Sequence, residues 1–238
     1  MIDIITPSGD RPLQFSLCVE WMKRQNFTDS VHWIVVDDSI YGNYDISGLP
    51  DSWEVTHLKP KIDRTPDYST QGKNLSLALD HVKYDKIIMV EDDDYYSSGW
   101  LKLCSENLDT YGMFGIKNLV NYNLNNRTWL YKQYAGRNNN PMCTTSLRSD
   151  LIPELKKICE ANEDMFDHLL WECKNTFYLK EFRIPPVIGV KGLPGRRGMT
   201  TKHRRILPNY DPSLNMFKEF VGNEAFLLYR EKFNDLFK

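Results

Sequence analysis

No window of this chain approaches the roughly 20 apolar residues that a membrane-spanning helix needs. The first residues, Met1-Ile2-Asp3-Ile4-Ile5, carry neither a basic n-region nor a long apolar h-region. A cytoplasmic chain with no membrane span is therefore expected. Cysteine is sparse: Cys18, Cys104, Cys143, Cys159 and Cys173 are odd in number, widely scattered and without CxxC spacing. Neither a disulfide framework nor a zinc site is indicated, and reduced, mostly structural thiols are expected. Internal repeats and low-complexity tracts are absent, and so is an excess of one charge. With 30 basic against 32 acidic residues and a formal net charge of −2, a whole-surface polyanion binder is excluded. Any nucleic-acid contact has to be regional.

What is present is enough for one good core. The 238 residues are 41% hydrophobic, which favours a single catalytic domain. Its first half alternates short β-rich runs with longer helical patterns, the signature of a layered α/β domain. Ile2 to Thr6 reads as a strand, Pro7-Ser8-Gly9-Asp10 as a turn, and Arg11 to Gln25 as a helix. The nearly continuous apolar run Val31 to Val36 suits a buried parallel strand and ends abruptly in Asp37-Asp38-Ser39. Trp53 to Leu58 reads as a strand, Gln71 to Val82 as a helix, and Lys86 to Val90 as another buried strand, ending in Glu91-Asp92-Asp93-Asp94. In the less regular second half, Gly112 to Ile116, Thr128 to Tyr134 and Pro185 to Val190 are candidate strands. Leu151 to Cys159 and Glu163 to Cys173 are candidate helices, and Asn215 to Lys238 supplies one or two amphipathic closing helices.

Open α/β sheets bind ligands in the crevice outside the C-terminal ends of their strands, so the two acidic clusters are expected to face one pocket. Four consecutive carboxylates raise one another's pKa unless a cation neutralises them, and an oxygen-only set suits Mn²⁺ or Mg²⁺ bridging to a substrate diphosphate. The structural alternative is a solvated turn, with Asp92 or Asp94 capping a helix that starts near Ser98.

These residues resemble a family. The order of strand-Thr6-Pro7, strand-Asp37-Asp38-Ser39, a Gly72-Lys73-Asn74 helix start and a Val90-Glu91-Asp92-Asp93-Asp94 strand end is similar to the nucleotide-binding half of family-2-like GT-A glycosyltransferases. The resemblance covers roughly the first hundred residues and is specific in order rather than in any one motif. It implies a GT-A mixed sheet flanked by helices, Rossmann-like, in one domain over 1–238. Residues 1–100 would form the nucleotide-sugar-binding half, 101–205 the acceptor half with a basic loop, and 206–238 the closing helices. A UDP-sugar is the expected donor. The Glu-Asp-Asp form of the DXD signature points to Asp93 as metal ligand, with Asp92 and Asp94 as alternatives. By the same resemblance Thr6 and Pro7 flank the nucleotide, Arg11 approaches its phosphates, Asp37 or Asp38 meets base or ribose, and Gly72, Lys73 and Asp92 lie at the donor.

An inverting transfer needs a base to take the acceptor hydroxyl's proton. Glu163-Asp164 resembles the family's acidic pair before a helix, giving Asp164 as the base and Asp167 as its alternative. Asp164, Asp167, His168 and Trp171 share one helix face, where Trp171 is either an aromatic platform or a core residue. The run Gly189 to Arg205 carries four glycines, a proline and six Lys or Arg residues. Such a loop can close over a diphosphate through Lys191, Arg196 and Arg197, and the resemblance to GT-A enzymes, many of which supply a late histidine to the metal, implies His203 as a further metal ligand. It can also grip the phosphates of a nucleic-acid acceptor, as in small bacteriophage GT-A enzymes that glycosylate hydroxymethylated DNA bases; a glycan is the other acceptor class. Two further readings remain: a nucleotidyltransferase, although only Gly9 and Arg11 come after the first strand where its Gly-rich signature belongs, and a non-catalytic nucleic-acid-binding module.

Overall fold

The two most apolar runs of the N-terminal third become neighbouring strands that stop at the same level. Strand β1 (Ile2–Ser8) pairs in parallel with β2 (Val31–Asp37), from Ile2 opposite Val31 to Ser8 opposite Asp37. Both are buried along their whole length because both faces are covered. Val31, Trp33 and Val35 enter one hydrophobic cluster, and Ile34 and Val36 enter the other, as the two-residue period of a strand requires. The computed structural model describes residues 1–40, 45–61, 70–134, 140–161, 167–173, 176–196 and 206–238, with the backbone alone for Asp167 and His168.

Between these strands runs α1 (Pro12–Lys23), with proline in its first turn where no hydrogen-bonded N–H is needed. Next come β3 (Trp53–Leu58), α2 (Gln71–Leu79), β4 (Lys86–Met89), β5 (Tyr95–Tyr96) and α3 (Trp100–Leu108). The second half contributes β6 (Met113–Ile116), β7 (Asn118–Asn123), β8 (Thr128–Gln133), β9 (Ser146–Arg148), α4 (Ile152–Ala161) and α5 (Asp167–Leu170). Strands β10 (Phe177–Lys180), β11 (Val187–Lys191) and β12 (Asn209–Tyr210) and helices α6 (Asn215–Val221) and α7 (Asn223–Lys232) complete the chain.

The main sheet has the order β10-β6-β9-β4-β1-β2-β3. It is mixed, because β9 runs antiparallel to both β4 and β6 while the other pairings are parallel. A second sheet, β12-β8-β7-β11-β5, joins the first through the segment between β4 and β5, which carries the four acids. One core cluster gathers residues of α1, α3, α6 and α7 with those of the second sheet; the other gathers residues of α2, α4 and Trp171. Among the described residues no helix is long and apolar enough to cross a membrane.

Two helices are shorter than their sequence patterns. The α2 pattern continues to Val82, yet the helix ends at Leu79 because the backbone N–H groups of Lys83 and Tyr84 turn back to donate to the buried Asp3 carboxylate. The helix expected over 163–173 covers Asp167–Leu170, and residues 162–166 lie outside the described ones. Strands β5, β7, β9, β10 and β12 have no counterpart in the sequence patterns.

Candidate functional site

Parallel pairing places the C-terminal ends of β4, β1, β2 and β3 side by side, so the residues just beyond these strands share one edge of the sheet. Ser8 ends β1, Asp37 ends β2, and the acid run lies just after β4. The Asp38 N–H donates to Ser8 O at 3.1 Å, and Val90 N–H to Ile5 O at 3.0 Å, which locks the three strand ends together. Ser8 Oγ donates to Asp92 Oδ2 across the boundary of β1 and β4.

The acids are not a solvated turn. Asp92 and Asp94 are 1% exposed and Asp93 8%, and each has a cation against it. Arg11, at the start of α1, reaches Asp92 Oδ1 at 2.8 Å and Asp93 Oδ2 at 3.2 Å. Lys191, at the end of β11, reaches Asp94 Oδ1 at 3.0 Å and Asp93 Oδ2 at 3.5 Å. Asp94 Oδ1 also accepts from Val190 N–H at 2.9 Å. Burial drives the Asp92 carboxyl up to about 6; Arg11 opposes the rise and the Asp93 charge adds to it. Asp94 is raised by burial as well, with Lys191 pulling it down. Burial alone would lower Lys191, but the charges of Asp93, Asp94 and Glu91 outweigh it and hold the ammonium well above its ordinary value.

A second ionic contact closes the other side. Arg196 Nη1 meets Asp38 at 2.9 and 3.1 Å, and Nη2 donates to Thr70 Oγ1 at 3.3 Å. Gly9 makes this approach possible, since a Cβ there would collide with the Asp38 carboxylate. The stretch 192–196 therefore lies against the start of α1, where Gln14 Nε2 also donates to Pro194 O. It turns away from β11 at Gly192, whose φ of +77° is left-handed and whose Cβ would strike Asn123.

Asp37 is held differently. Its Oδ1 accepts the Ser39 N–H at 2.9 Å, while Oδ2 faces His57 Nε2 at 3.6 Å and Lys59 Nζ at 3.9 Å. Burial would raise Asp37, but the nearby His57 imidazole and hydrogen bonding from Ser39 outweigh it and hold the carboxyl below its ordinary value. Sequence patterns alone miss His57 and Lys59. The signal that finds them is the strand-end rule applied to β3 as well as to β2 and β4.

The other expected site residues are spread more widely. Thr6 is fully buried and its Oγ1 accepts from Trp33 Nε1 at 2.9 Å; Pro7 is buried in β1. Gly72 and Lys73 lie in the first turn of α2, the glycine buried and the lysine exposed, and Gln71 Nε2 donates to Glu91 Oε1 at 2.6 Å. Asp167 opens α5, while Asp164, Arg197 and His203 lie outside the described residues. Trp171 is a core residue, not a platform: it is 1% exposed and its Nε1 donates to Thr145 Oγ1 at 3.0 Å. Thr145 O in turn accepts from Met89 N–H at 3.0 Å, tying the end of α5 to the end of the acid-bearing strand.

Oxygen donors for a divalent cation are at hand. Asp94 Oδ2 is buried with no hydrogen-bond partner among the described residues. Ligand atoms of Glu91, Asp94 and Cys143 lie within 4.8 Å of one another. Burial and the charges of Asp94 and Glu91 push the Cys143 thiol well above its ordinary value, so the set offers carboxylates and no thiolate. That fits a hard cation such as Mg²⁺ or Mn²⁺.

Among solved structures the chain is similar to S. aureus TarS 1-349 in complex with UDP-GlcNAc, with a TM-score of 0.57 and 14% identity, covering 96% of this chain and 66% of that one. The same TarS piece in complex with UDP matches with a TM-score of 0.55 and 15% identity, covering 79% of this chain and 60% of that one. The chain has the GT-A fold. It spans less than two thirds of those TarS chains, and the likeness is one of fold alone. No family model and no curated protein sequence matches it. On the GT-A fold, the edge carrying Ser8, Asp37, Asp38 and the acid run is the C-terminal edge of the parallel strands β1, β2, β3 and β4.

Proposed function

We propose that the chain is a nucleotide-sugar glycosyltransferase that moves a sugar from a UDP-sugar to an acceptor hydroxyl with inversion. One observation carries this reading: the strand-end carboxylates of Asp37, Asp38 and the acid run converge with the cations Arg11, Lys191 and Arg196 at one edge of a GT-A sheet. Similar structures hold UDP and UDP-GlcNAc in the same fold.

Asp37 and Asp38 bind the base and ribose, with the backbone of Thr6 and Pro7 alongside. Gly72 and Lys73, at the start of α2, lie beside the donor. Arg11, Lys191 and Arg196 turn from their carboxylates to the diphosphate when it arrives, Arg197 joins them there, and Asp92, held by Ser8, returns Arg11 to its place. Asp93 holds Mn²⁺ or Mg²⁺, with Asp94 and His203 as further ligands. When bound, such an ion acts as a Lewis acid that neutralises charge on the departing diphosphate.

Asp164, or Asp167 in its stead, accepts the proton of the acceptor hydroxyl. That oxygen then forms its bond to the anomeric carbon as the carbon's bond to the diphosphate oxygen breaks, releasing UDP. The acceptor is a hydroxymethylated DNA base or a glycan.

The test is release of UDP from UDP-glucose and UDP-N-acetylglucosamine, with hydroxymethylated DNA and with oligosaccharides as acceptors. Acceptor-stimulated release that Asp164→Asn depresses far more than it weakens donor binding supports the reading. No release from any pair, or an unchanged rate in Asp164→Asn and Asp167→Asn, contradicts the transfer or the base assignment respectively.

A further inference from the structure

Three properties of Lys191 combine. Its ammonium lies 3.5 Å from Asp93 Oδ2 and 3.0 Å from Asp94 Oδ1, the two carboxylates to which the proposed function gives the divalent ion. Its backbone is fixed independently of that contact, by the pairing of β11 with β7, by the neighbouring Val190 N–H on Asp94 and by the left-handed turn at Gly192. Its side chain is 24% exposed, so a four-carbon stem with room to swing carries the charge.

An ion seated on Asp93 Oδ2 would stand beside an ammonium that lies 3.5 Å from that oxygen. A dication and an ammonium that close repel strongly in a partly buried site. Arg11 adds to the obstacle, 3.2 Å from the same oxygen. A diphosphate removes it, because its oxygens give Lys191 and Arg11 new anionic partners and free the carboxylates.

We infer that Lys191 is an internal counter-ion that keeps a lone divalent cation off the acid cluster, so that metal and diphosphate enter together. The inference rests on the donor and metal reading above and adds an order to it. In the donor-free chain Lys191 neutralises Asp93 and Asp94; in the loaded chain it binds phosphate. By linkage, whatever factor the nucleotide adds to metal affinity, the metal adds to nucleotide affinity.

The experiment measures free Mn²⁺ by electron paramagnetic resonance during titration of the full chain without nucleotide, then with UDP. Lys191→Met is expected to bind Mn²⁺ alone at least about tenfold more tightly than the wild type, with a smaller gain on adding UDP. Lys191→Arg, which keeps the charge, should behave as the wild type. Lys191→Gln repeats the comparison if Lys191→Met does not melt cooperatively. Equal nucleotide-free Mn²⁺ affinity in the wild type and the uncharged variants overturns the inference. Because that comparison contains no donor, failure of UDP to bind sinks the donor reading alone. Absence of Mn²⁺ uptake by every form, with and without UDP, removes the metal and this role of Lys191 together.

Discussion

Asp93 sits between two cations while its neighbours on either side point into the protein. Asp92 is committed to Ser8 and Arg11, and Asp94 commits Oδ1 to Val190 N–H and Lys191 and keeps Oδ2 for a cation. Asp93 is the most exposed of the three. Asp93→Ala should therefore lower metal-dependent UDP affinity by at least about 10–100-fold, in the range of lost metal-site contacts, and leave the circular dichroism spectrum unchanged. The Arg196–Asp38 pair allows a test free of any ligand. Asp38 is buried and Arg196 approaches both its oxygens, so Arg196→Ala leaves a buried carboxylate short of a partner. A double-mutant cycle with Asp38→Asn in chemical denaturation should give a coupling of about 1 kcal/mol or more; additive effects would mean that the pair contributes nothing.

Strand-end chemistry depends on elements being held in register, and Asp3 does this at the far end of β1. Its carboxylate accepts from Lys83 N–H and Tyr84 N–H and pairs with His32 Nδ1 at 2.6 Å, while His32 Nε2 contacts Thr56 Oγ1 at 2.8 Å. Strands β1, β2 and β3 and the turn after α2 meet at this one side chain and its partner. Asp3→Ala should cost about 2–4 kcal/mol in urea unfolding, the range for breaking a buried charged network, with no change in UDP affinity at the opposite edge. On the other flank, a Cβ at Gly115 would lie 2.8 Å from the Trp171 ring. Gly115→Ala should destabilise by about 1–3 kcal/mol through overpacking, read from thermal melts and near-ultraviolet dichroism. The strands that sequence patterns reveal are those whose burial is written in their own residues, such as Val31 to Val36. Strand β7 is hidden because it reads Asn-Leu-Val-Asn-Tyr-Asn. The side chain of its buried Asn118 bonds to Phe182 and Tyr131, 64 and 13 residues away, and such partners carry no local signal.

In the whole molecule the acid run links the two sheets: β4 ends before it, β5 begins after it, and β5 pairs with β11, which delivers Lys191. This explains why the cluster is legible in the sequence as a site while its occupants are not. Carboxylates at a buried strand's end are visible in one dimension. That Arg11 and Lys191, from opposite ends of the chain, both reach Asp93 is a consequence of β1 and β11 lying on either side of the run. Trp171 is ambiguous in the sequence for the same reason, since its helix face alone does not say that Thr145 and Gly115 lie beneath it. The GT-A architecture is readable from strand order. The second sheet arises from pairings between segments far apart in sequence.

The most direct test of the central claim is calorimetric titration of the protein with UDP in the presence of Mn²⁺ and again in EDTA, with the wild type and Asp93→Ala side by side. Micromolar binding that needs the metal and is lost in Asp93→Ala is the predicted result. Absence of UDP binding under either condition, or binding that EDTA and Asp93→Ala leave untouched, would contradict it.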